Sequence, residues 1–336
     1  MDLTSLPRVP LAHLPTPFEP MDALADRIGA PVRLFVKRDD CTGLALGGNK
    51  TRKLEFTLAD ALERRADVLV TSGGTQSNHV RQTAAAAARI GLECHAVLSD
   101  PLDAASYEAH PTYGATGNRL LDDLIGCVVH EATDATLQER LGEVAGRLEA
   151  AGRRPYVVPL GASDGVGSMG YAHCAKELLE QCDRHGVDPS QVVLATGSAG
   201  THAGLLAGLR AAGSAARVVG IAVSETSAAK RSKVRDVLEQ MRPRWPVGAP
   251  EVSEGDIVVD DRFVGAGYAV PTEEGAAAMR LAARTEGLLL DPVYTAKAMA
   301  GLVALVGEGA LEDARDVVFL HTGGAPGLFA YPELVP

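Results

Sequence analysis

One lysine stands where a glycine-rich loop passes into a helical sequence: Lys50, in GLALGGNKT at residues 43–51. An ammonium group between loop glycines and the apolar start of a helix is partly removed from water, which lowers the pKa of a lysine. Such a lysine can attack a carbonyl carbon and form a Schiff base. Lys50 is therefore a candidate nucleophile, with a solvated surface charge as the alternative that spacing alone leaves open.

A second glycine-rich loop, ATGSAGTHAG at residues 195–204, lies between an apolar strand and an Ala/Leu-rich helix. Consecutive backbone N–H groups at the start of a helix, with the hydroxyls of Ser198 and Thr201 beside them, form a cradle for an anion. A monophosphate suits this loop, because it lacks the lysine and the magnesium-binding hydroxyl of an ATP site. A plain glycine-rich turn is the alternative.

Polar side chains also open the helix that follows a buried-looking strand. Gln76, Ser77 and Asn78 can present amide and hydroxyl groups to a bound ring or carboxylate. Tyr268 and Tyr294 stand in loops flanked by glycine and proline, and they are two of only seven tyrosines. Both are candidates for contact with a ligand, and packing in the core or at the surface is the alternative for either.

Two glycine motifs approach nucleotide-binding signatures without meeting them. In GLALGGNKT, Asn49 stands where a P-loop requires lysine, and a slip of one residue turns a side chain by about 100° around a helix. Gly165–Gly170 matches G-x-G-x-x-G, but GASD separates it from its strand, and no carboxylate follows the next strand to bind a ribose. The sequence therefore argues against nucleoside triphosphate binding and against a dehydrogenase.

The elements that position these residues alternate along the chain. Strand-like runs occupy residues 33–39, 67–73, 94–100, 127–132, 156–161, 191–197, 216–224 and 317–324, and most are separated by helical sequence. This alternation predicts parallel sheets with helices on both faces, in which ligands bind at the carboxyl ends of the strands. No Pro/Gly/Ser-rich linker divides the chain, so we expect α/β domains that are interleaved rather than joined end to end.

Composition argues against several classes of protein. The 336 residues carry a net charge of −11 with no compensating basic stripe, so nucleic acid and anionic membranes are not expected partners. No run approaches the roughly 20 apolar residues that span a bilayer, and prolines interrupt the N-terminal sequence where a signal peptide would be apolar. The five cysteines form no CxxC pair, which favours a cytoplasmic protein without a metal site.

Five blocks of sequence resemble a known family. They are VKRDDCTGLALGGNKTRKLEF, GGTQSNHVRQTAAAAARIGL, GSAGTHAGL, LLLDPVYTAKAMAGL and HTGGAPGLFAY. The blocks resemble the pyridoxal 5'-phosphate (PLP) enzymes that include D-cysteine desulfhydrases, 1-aminocyclopropane-1-carboxylate (ACC) deaminases and L-cysteate sulfo-lyases. They follow the order of that family from near residue 7 to the C-terminus, so the resemblance covers almost the whole chain.

The resemblance implies PLP fold type II, which is similar to the tryptophan synthase β subunit. Two interleaved three-layer α/β domains with mainly parallel sheets are expected. Residues 1–48 and 162–336 would form the larger, PLP-binding domain, and residues 49–161 the smaller inserted domain. A homodimer that acts on a small amino acid is also expected from the resemblance.

The resemblance further implies a role for each candidate residue. Lys50 would form the Schiff base with PLP, and Asn78 would bind the ring oxygen beside the aldehyde carbon. The phosphate would lie on Ser198, Ala199, Gly200 and Thr201, and the ring nitrogen on Thr322. Gln76 and Ser77 would receive the substrate carboxylate, next to Asn78, with Tyr268 and Tyr294 facing the substrate from the other side. Lys50, Ser77, Tyr268 and Tyr294 would be catalytic, with Tyr294 near the leaving sulfur and either Lys50 or a tyrosine taking the α-proton.

One departure within the family narrows the reaction. ACC deaminases place a glutamate directly after the second tyrosine, whereas this chain has Thr295 there and supplies Thr322 to the ring nitrogen. A neutral hydroxyl leaves that nitrogen unprotonated and the ring a weaker electron sink. β-Elimination tolerates this because a good leaving group departs as the α-proton is lost, whereas opening a cyclopropane ring has no such leaving group.

The sequence is compatible with more than one leaving group. Hydrosulfide and sulfite are both stable anions, so the same residues serve D-cysteine, β-chloro-D-alanine or L-cysteate. Thr75 resembles the sulfo-lyases, because desulfhydrases more often carry isoleucine there, while HVRQ and HTGGAP resemble the desulfhydrases. We predict conversion of D-cysteine to pyruvate, ammonia and hydrogen sulfide. The alternatives are an L-cysteate sulfo-lyase, an ACC deaminase, and an α/β ligand-binding protein that has lost its chemistry.

Overall fold

The computed structural model describes residue 3, residues 5–102 and residues 108–335. In these ranges the strands are β1 (Phe18–Pro20), β2 (Arg33–Arg38), β3 (Val68–Gly74), β4 (Glu93–Ser99), β5 (Val128–Ala132), β6 (Pro155–Val157), β7 (Pro189–Thr196), β8 (Arg217–Ala222), β9 (Val258–Asp260) and β10 (Asp316–His321). The helices are α1 (Asp22–Ile28), α2 (Asn49–Glu63), α3 (Asn78–Arg89), α4 (Gly117–Ile125), α5 (Leu137–Ala150), α6 (Met169–His185), α7 (Gly200–Ala211), α8 (Ser227–Met241), α9 (Glu273–Glu286), α10 (Thr295–Gly307) and α11 (Ala325–Leu328).

These strands form two sheets, both built mainly by parallel pairing. The larger sheet has the order β1-β2-β10-β7-β8-β9, and its β1–β2 pair alone is antiparallel among the strands described. The smaller sheet has the order β5-β4-β3-β6 and is parallel throughout. Parallel neighbours require crossover connections, which the helices supply. The predicted α/β class is confirmed.

Central strands are buried on both faces, as expected where helices cover both sides of a parallel sheet. In β7, Val192 and Leu194 join the apolar core that contains residues of α6 and α7. The intervening Val193 and Ala195 join the core on the opposite face, with residues of α9 and α10. This alternation follows from the two-residue period of a strand. It makes the larger sheet a rigid platform for the loops at its carboxyl edge.

The smaller sheet repeats this arrangement on a smaller scale. Leu69 of β3 packs in the core shared with α2 and α3, while the next residue, Val70, packs against α5 on the other face. All strands of this sheet fall within residues 49–161, and those of the larger sheet fall outside that range. On this pattern we propose the division of the chain into domains at 48/49 and 161/162, which stays a prediction.

Glycines 165 to 170 have a packing role in the structure. A Cβ on Gly167 would lie 2.3 Å from the carbonyl oxygen of Ala162, and one on Gly170 would lie 2.2 Å from that of Arg52. Gly170 therefore lets α6 approach the backbone of α2 more closely than any other residue type allows. Close helix contact accounts for this part of the G-x-G-x-x-G pattern.

The short elements were not predicted from the sequence. β1 and β9 have three residues each, too few for a period of two to stand out. Among the described helices, none is long and apolar enough to cross a lipid bilayer.

Candidate active site

A cavity of about 550 Å³ lies at the carboxyl ends of strands from both sheets. Gly74 of β3 and Ser99 of β4 line one side, and Thr196 of β7 lines the other. Ligands of parallel α/β sheets bind at this edge, and the volume is in the range that holds a small organic molecule. The walls include every predicted site residue except Gln76 and Gly200.

Lys50 lies in the first turn of α2, and its side chain forms part of the cavity wall. Its Nζ donates to Asn49 Oδ1 at 2.8 Å, and Asn49 Nδ2 donates to Thr201 Oγ1 at 2.9 Å. Burial, followed by the positive charge of Arg81, lowers the pKa of Lys50 to about 8, against the opposing effect of Asp291. One asparagine side chain thus joins the predicted nucleophile to the predicted phosphate loop, and the amine is easily deprotonated.

The loop from Ser198 to Thr201 connects β7 to the N-terminus of α7. Ala199 has a left-handed backbone, with φ of 71°, a conformation that non-glycine residues rarely adopt. A Cβ on Gly200 would lie 2.5 Å from Ser163 Oγ, so a larger residue there would displace the Ser163 side chain. Ser198 Oγ in turn lies 2.8 Å from Ser163 Oγ. A strained, tightly packed turn at a helix N-terminus is the geometry that binds anions through backbone amides.

A second lysine near this loop was missed by the sequence analysis. Lys53 is fully buried one turn after Lys50, and its Nζ donates to Ser163 Oγ at 2.9 Å. Burial, and then the charge of Lys50, hold the pKa of Lys53 well below its usual range. Among the ion pairs of the described residues none involves Lys53. The spacing of three residues from Lys50, which places both on one helix face, was the available signal.

Ser77 and Asn78 form the turn from β3 into α3 and both line the cavity. Ser77 caps the helix, because its Oγ accepts from the backbone N–H of Val80 at 3.2 Å. Asn78 Oδ1 accepts from Arg81 Nη1 and from Asn118 Nδ2, both at 3.0 Å. The α3 N-terminus thus brings a hydroxyl, an amide and unpaired helix amides to the cavity, as a carboxylate or a ring oxygen requires.

The Gln76 side chain is not part of the cavity wall, so its role in substrate binding stays a prediction. Its Nε2 donates to the carbonyl oxygens of Tyr113 and Thr116, the latter at 2.8 Å. Its Oε1 accepts from the backbone N–H of Asn118 at 2.8 Å. The amide is therefore fully occupied, and it fixes the segment before α4 to the start of α3 instead of facing the cavity.

Tyr268 and Tyr294 meet at the opposite wall of the cavity. Their hydroxyls form a hydrogen bond, and their rings lie 5.9 Å apart at an angle of 69°. Tyr294 precedes α10, and Tyr268 reaches across to the smaller sheet, where a Cβ on Gly74 would lie 3.3 Å from its ring. Burial raises the pKa of both tyrosines, so both hydroxyls keep their protons at neutral pH.

The two threonines singled out near the ring nitrogen behave differently. Thr322 follows β10 and lines the cavity, and its carbonyl oxygen accepts from the backbone N–H of Asn49 at 3.0 Å. Thr295 is fully buried, and its Oγ1 donates to Asp291 Oδ1 at 2.7 Å at the start of α10. The Thr322 hydroxyl is therefore available to a ligand, whereas the Thr295 hydroxyl is occupied by Asp291 at the start of α10.

The donor set fits PLP, the cofactor that the resemblance implies. An aldehyde requires an amine, and a phosphate requires N–H groups and a cation. Lys50 meets the first requirement, and the loop at 198–201 offers the N–H groups of the second. Lys53, whose pKa burial lowers, would become the cation when a phosphate lies beside it, because a neighbouring anion favours the charged amine. A phenolic ring oxygen requires a donor, which Asn78 can supply. The described residues hold no cluster of His, Cys, Asp or Glu that could bind a metal ion.

Comparison with known proteins extends the resemblance. A family model described as "Pyridoxal-phosphate dependent enzyme" matches residues 9–323. A D-cysteine desulfhydrase of Klebsiella pneumoniae (strain 342) is 46% identical over 332 residues, which is 98% of this chain and 98% of that protein.

Solved structures have the same fold. The crystal structure of an ACC deaminase homologue superposes with a TM-score of 0.87 at 36% identity, covering 98% of this chain and 96% of the other. The processed form of threonine deaminase isoform 2 from Solanum lycopersicum superposes with a TM-score of 0.63 at 17% identity, covering 95% of this chain and 83% of the other. This second likeness concerns the fold alone.

Proposed function

Because this chain belongs to the family of pyridoxal-phosphate-dependent enzymes, we propose that it is a carbon–sulfur lyase that converts D-cysteine and water to pyruvate, ammonia and hydrogen sulfide. The observation that carries the chemistry is the placement of the Lys50 amine one asparagine side chain away from Thr201 of the phosphate loop. The identity of the substrate rests on the full-length similarity to a D-cysteine desulfhydrase. In this proposal the neutral hydroxyl of Thr322, which lines the cavity, would face the ring nitrogen, and this also favours sulfur as the leaving group.

PLP supplies an electron-withdrawing ring that makes the α-hydrogen of a bound amino acid acidic. Lys50 has an amine that can lose its proton near neutral pH, and it can therefore bind the cofactor and move protons. The start of α3, with Ser77 and Asn78, binds and orients the substrate carboxylate through hydroxyl and backbone N–H groups. The residue that takes the α-proton is Lys50 or a tyrosine, depending on which face of the substrate carries that hydrogen.

The tyrosine pair suits the departure of sulfur. One hydroxyl donates to the other, so a second hydroxyl hydrogen stays free to face the cavity. Since burial raises the pKa of both groups, the pair holds its protons and can give one to a departing sulfur. We assign this donation to Tyr294 and the orientation of the substrate to Tyr268.

Two observations favour a thiol over a sulfonate leaving group. Thr75, the residue that resembles the sulfo-lyases, is not part of the cavity wall, and its Oγ1 donates to the Ser99 carbonyl oxygen at 3.4 Å. A sulfonate also requires free cationic donors, whereas Lys230 and Lys233 of the cavity wall both pair with Glu225, at 2.6 and 2.8 Å. The Thr75 side chain thus contacts the end of β4 rather than the cavity, so the likeness to sulfo-lyases at this position does not argue for a sulfonate substrate.

Pyruvate release from D-cysteine, L-cysteine, L-cysteate, D-serine and ACC, measured side by side, tests the substrate. We expect turnover of D-cysteine to exceed that of the others, and Lys50→Ala to abolish it. Fastest release from L-cysteate or ACC would replace the proposed function by the corresponding alternative, and no release from any substrate would favour a ligand-binding protein.

We further propose a cytoplasmic homodimer, to be tested by light scattering and by fractionation. Free cysteines and the exposed Leu120 and Leu124 of α4 support this arrangement.

A further inference from the structure

The amide of Asn78 is held by two groups that lie outside the cavity wall. Arg81 donates from Nη1 and Asn118 donates from Nδ2, each at 3.0 Å from Asn78 Oδ1. Arg81 and Asn118 are both fully buried, and they belong to different helices, α3 and α4. Asn78 Oδ1 therefore accepts two hydrogen bonds from residues that do not line the cavity.

Occupation of the oxygen decides which end of the amide faces the cavity. The two ends of an asparagine amide are nearly equal in shape, so hydrogen-bond partners set its orientation. With two donors directed at Oδ1, a flip of the Asn78 amide would place its NH₂ group against Arg81 and Asn118 N–H groups. The NH₂ end of Asn78 is consequently the one presented to the cavity, and it is a donor.

Arg81 is itself rigidly placed. Beyond Asn78, its guanidinium donates to Asn118 Oδ1 and to the carbonyl oxygen of Gly47, both at 2.6 Å. A buried guanidinium with several acceptors keeps one geometry, because every lost hydrogen bond costs free energy in the interior. Gly47 precedes Lys50 by three residues. Arg81 therefore fixes the position of the lysine loop relative to the start of α3, and its charge adds to the lowering of the pKa of Lys50.

We propose that Arg81 and Asn118 are positioning residues that lock the Asn78 amide as a hydrogen-bond donor towards the ring oxygen of PLP and hold it in register with Lys50. The inference rests on the proposed function, in which Asn78 binds that oxygen. A purely structural role would affect stability alone. The proposed role also predicts a change in cofactor affinity that depends on Asn78.

The first test uses Arg81→Lys, which keeps the buried charge but cannot reach all three acceptors. Dissociation constants for PLP are measured by equilibrium dialysis, together with the absorbance spectrum of the bound cofactor. We expect PLP affinity to fall about tenfold, the size of one hydrogen bond to a charged partner. In an Asn78→Ala background the same change should lower affinity by less than about threefold, because the group it positions is gone. Arg89→Lys, at an exposed position of α3, is the matched control and should change neither quantity.

The second test uses Asn118→Asp, which keeps the shape and replaces the donor facing Asn78 by an acceptor. The new carboxylate favours a flipped Asn78 amide, whose oxygen then faces the ring oxygen of PLP. We expect weaker PLP binding and an altered spectrum of the bound cofactor, with a circular dichroism spectrum like that of the wild type.

The outcomes separate this inference from the proposed function. Unchanged PLP affinity and spectrum in both variants would overturn the inference alone, as would equal losses with and without Asn78. Failure of both variants to fold would assign Arg81 and Asn118 a structural role only and would also overturn it. A wild-type protein that binds no PLP would overturn the proposed function, and the inference with it.

Discussion

Replacement of Lys50 by methionine should stabilise the protein without cofactor while it removes the nucleophile. Burial holds the pKa of Lys50 at about 8, below the ordinary 10.5. At about 1.4 kcal/mol per pH unit, this difference corresponds to about 3 kcal/mol of destabilisation. Methionine fills a similar volume without a charge, so Lys50→Met should recover up to about 3 kcal/mol at neutral pH.

The destabilisation caused by Lys50 should decrease as the pH rises. The folded state binds the lysine proton more weakly than the unfolded state does, so the destabilisation is complete below pH 8. It shrinks as pH rises from about 8 to 10.5, because the unfolded state then also loses the proton. Denaturant unfolding of cofactor-free protein at pH 7 and above pH 10 measures the difference.

A half-buried lysine on the surface provides the control for this experiment. Lys176→Met, on the surface of α6, should show no comparable gain at pH 7. A Lys50→Met variant that is less stable than the wild type at pH 7 would refute the reasoning that burial destabilises the protonated amine of Lys50. A gain in the free energy of unfolding that does not change with pH would refute it too.

Two further substitutions test the chemistry. Lys53→Met should weaken PLP binding by about 10- to 100-fold, the range for a charge-assisted hydrogen bond to phosphate, which titration of the cofactor-free protein with PLP measures. It should cause no loss of stability in the cofactor-free protein, which denaturant unfolding measures. Equal affinity would remove Lys53 from the phosphate site. Tyr294→Phe should lower kcat/KM for D-cysteine by about 100-fold, the scale of general acid catalysis, but that for β-chloro-D-alanine by less than about tenfold, because chloride leaves without a proton. Equal losses for both substrates would contradict a role of Tyr294 as proton donor to sulfur.

The fold class could be predicted because its signals are local. Apolar strands alternate with helices over most of the chain, and parallel pairing follows from that alternation. Glycine-rich loops at strand ends then identify the edge at which the cavity lies. The antiparallel β1 was missed, because its pairing with β2 depends on a partner rather than on its own three residues.

The features of the site that the sequence did not reveal depend on contacts between residues distant in sequence. Gln76 looks like a ligand-binding amide, but its side chain is occupied by the backbone at residues 113–118, about 40 positions away. Lys53 and Arg81 look like ordinary solvated helix charges, but both are fully buried in the folded chain. Burial of a charge is set by tertiary structure, so a sequence pattern does not reveal it.

The identity of the modified lysine is the most direct test of this account. The protein with bound PLP is reduced with borohydride, digested and analysed by mass spectrometry, with the cofactor's mass as the label. The label should lie on Lys50, whose amine is joined through Asn49 to the phosphate loop. A label on Lys53, or on no lysine of α2, would contradict the assignment of the nucleophile and the orientation of the cofactor derived from it.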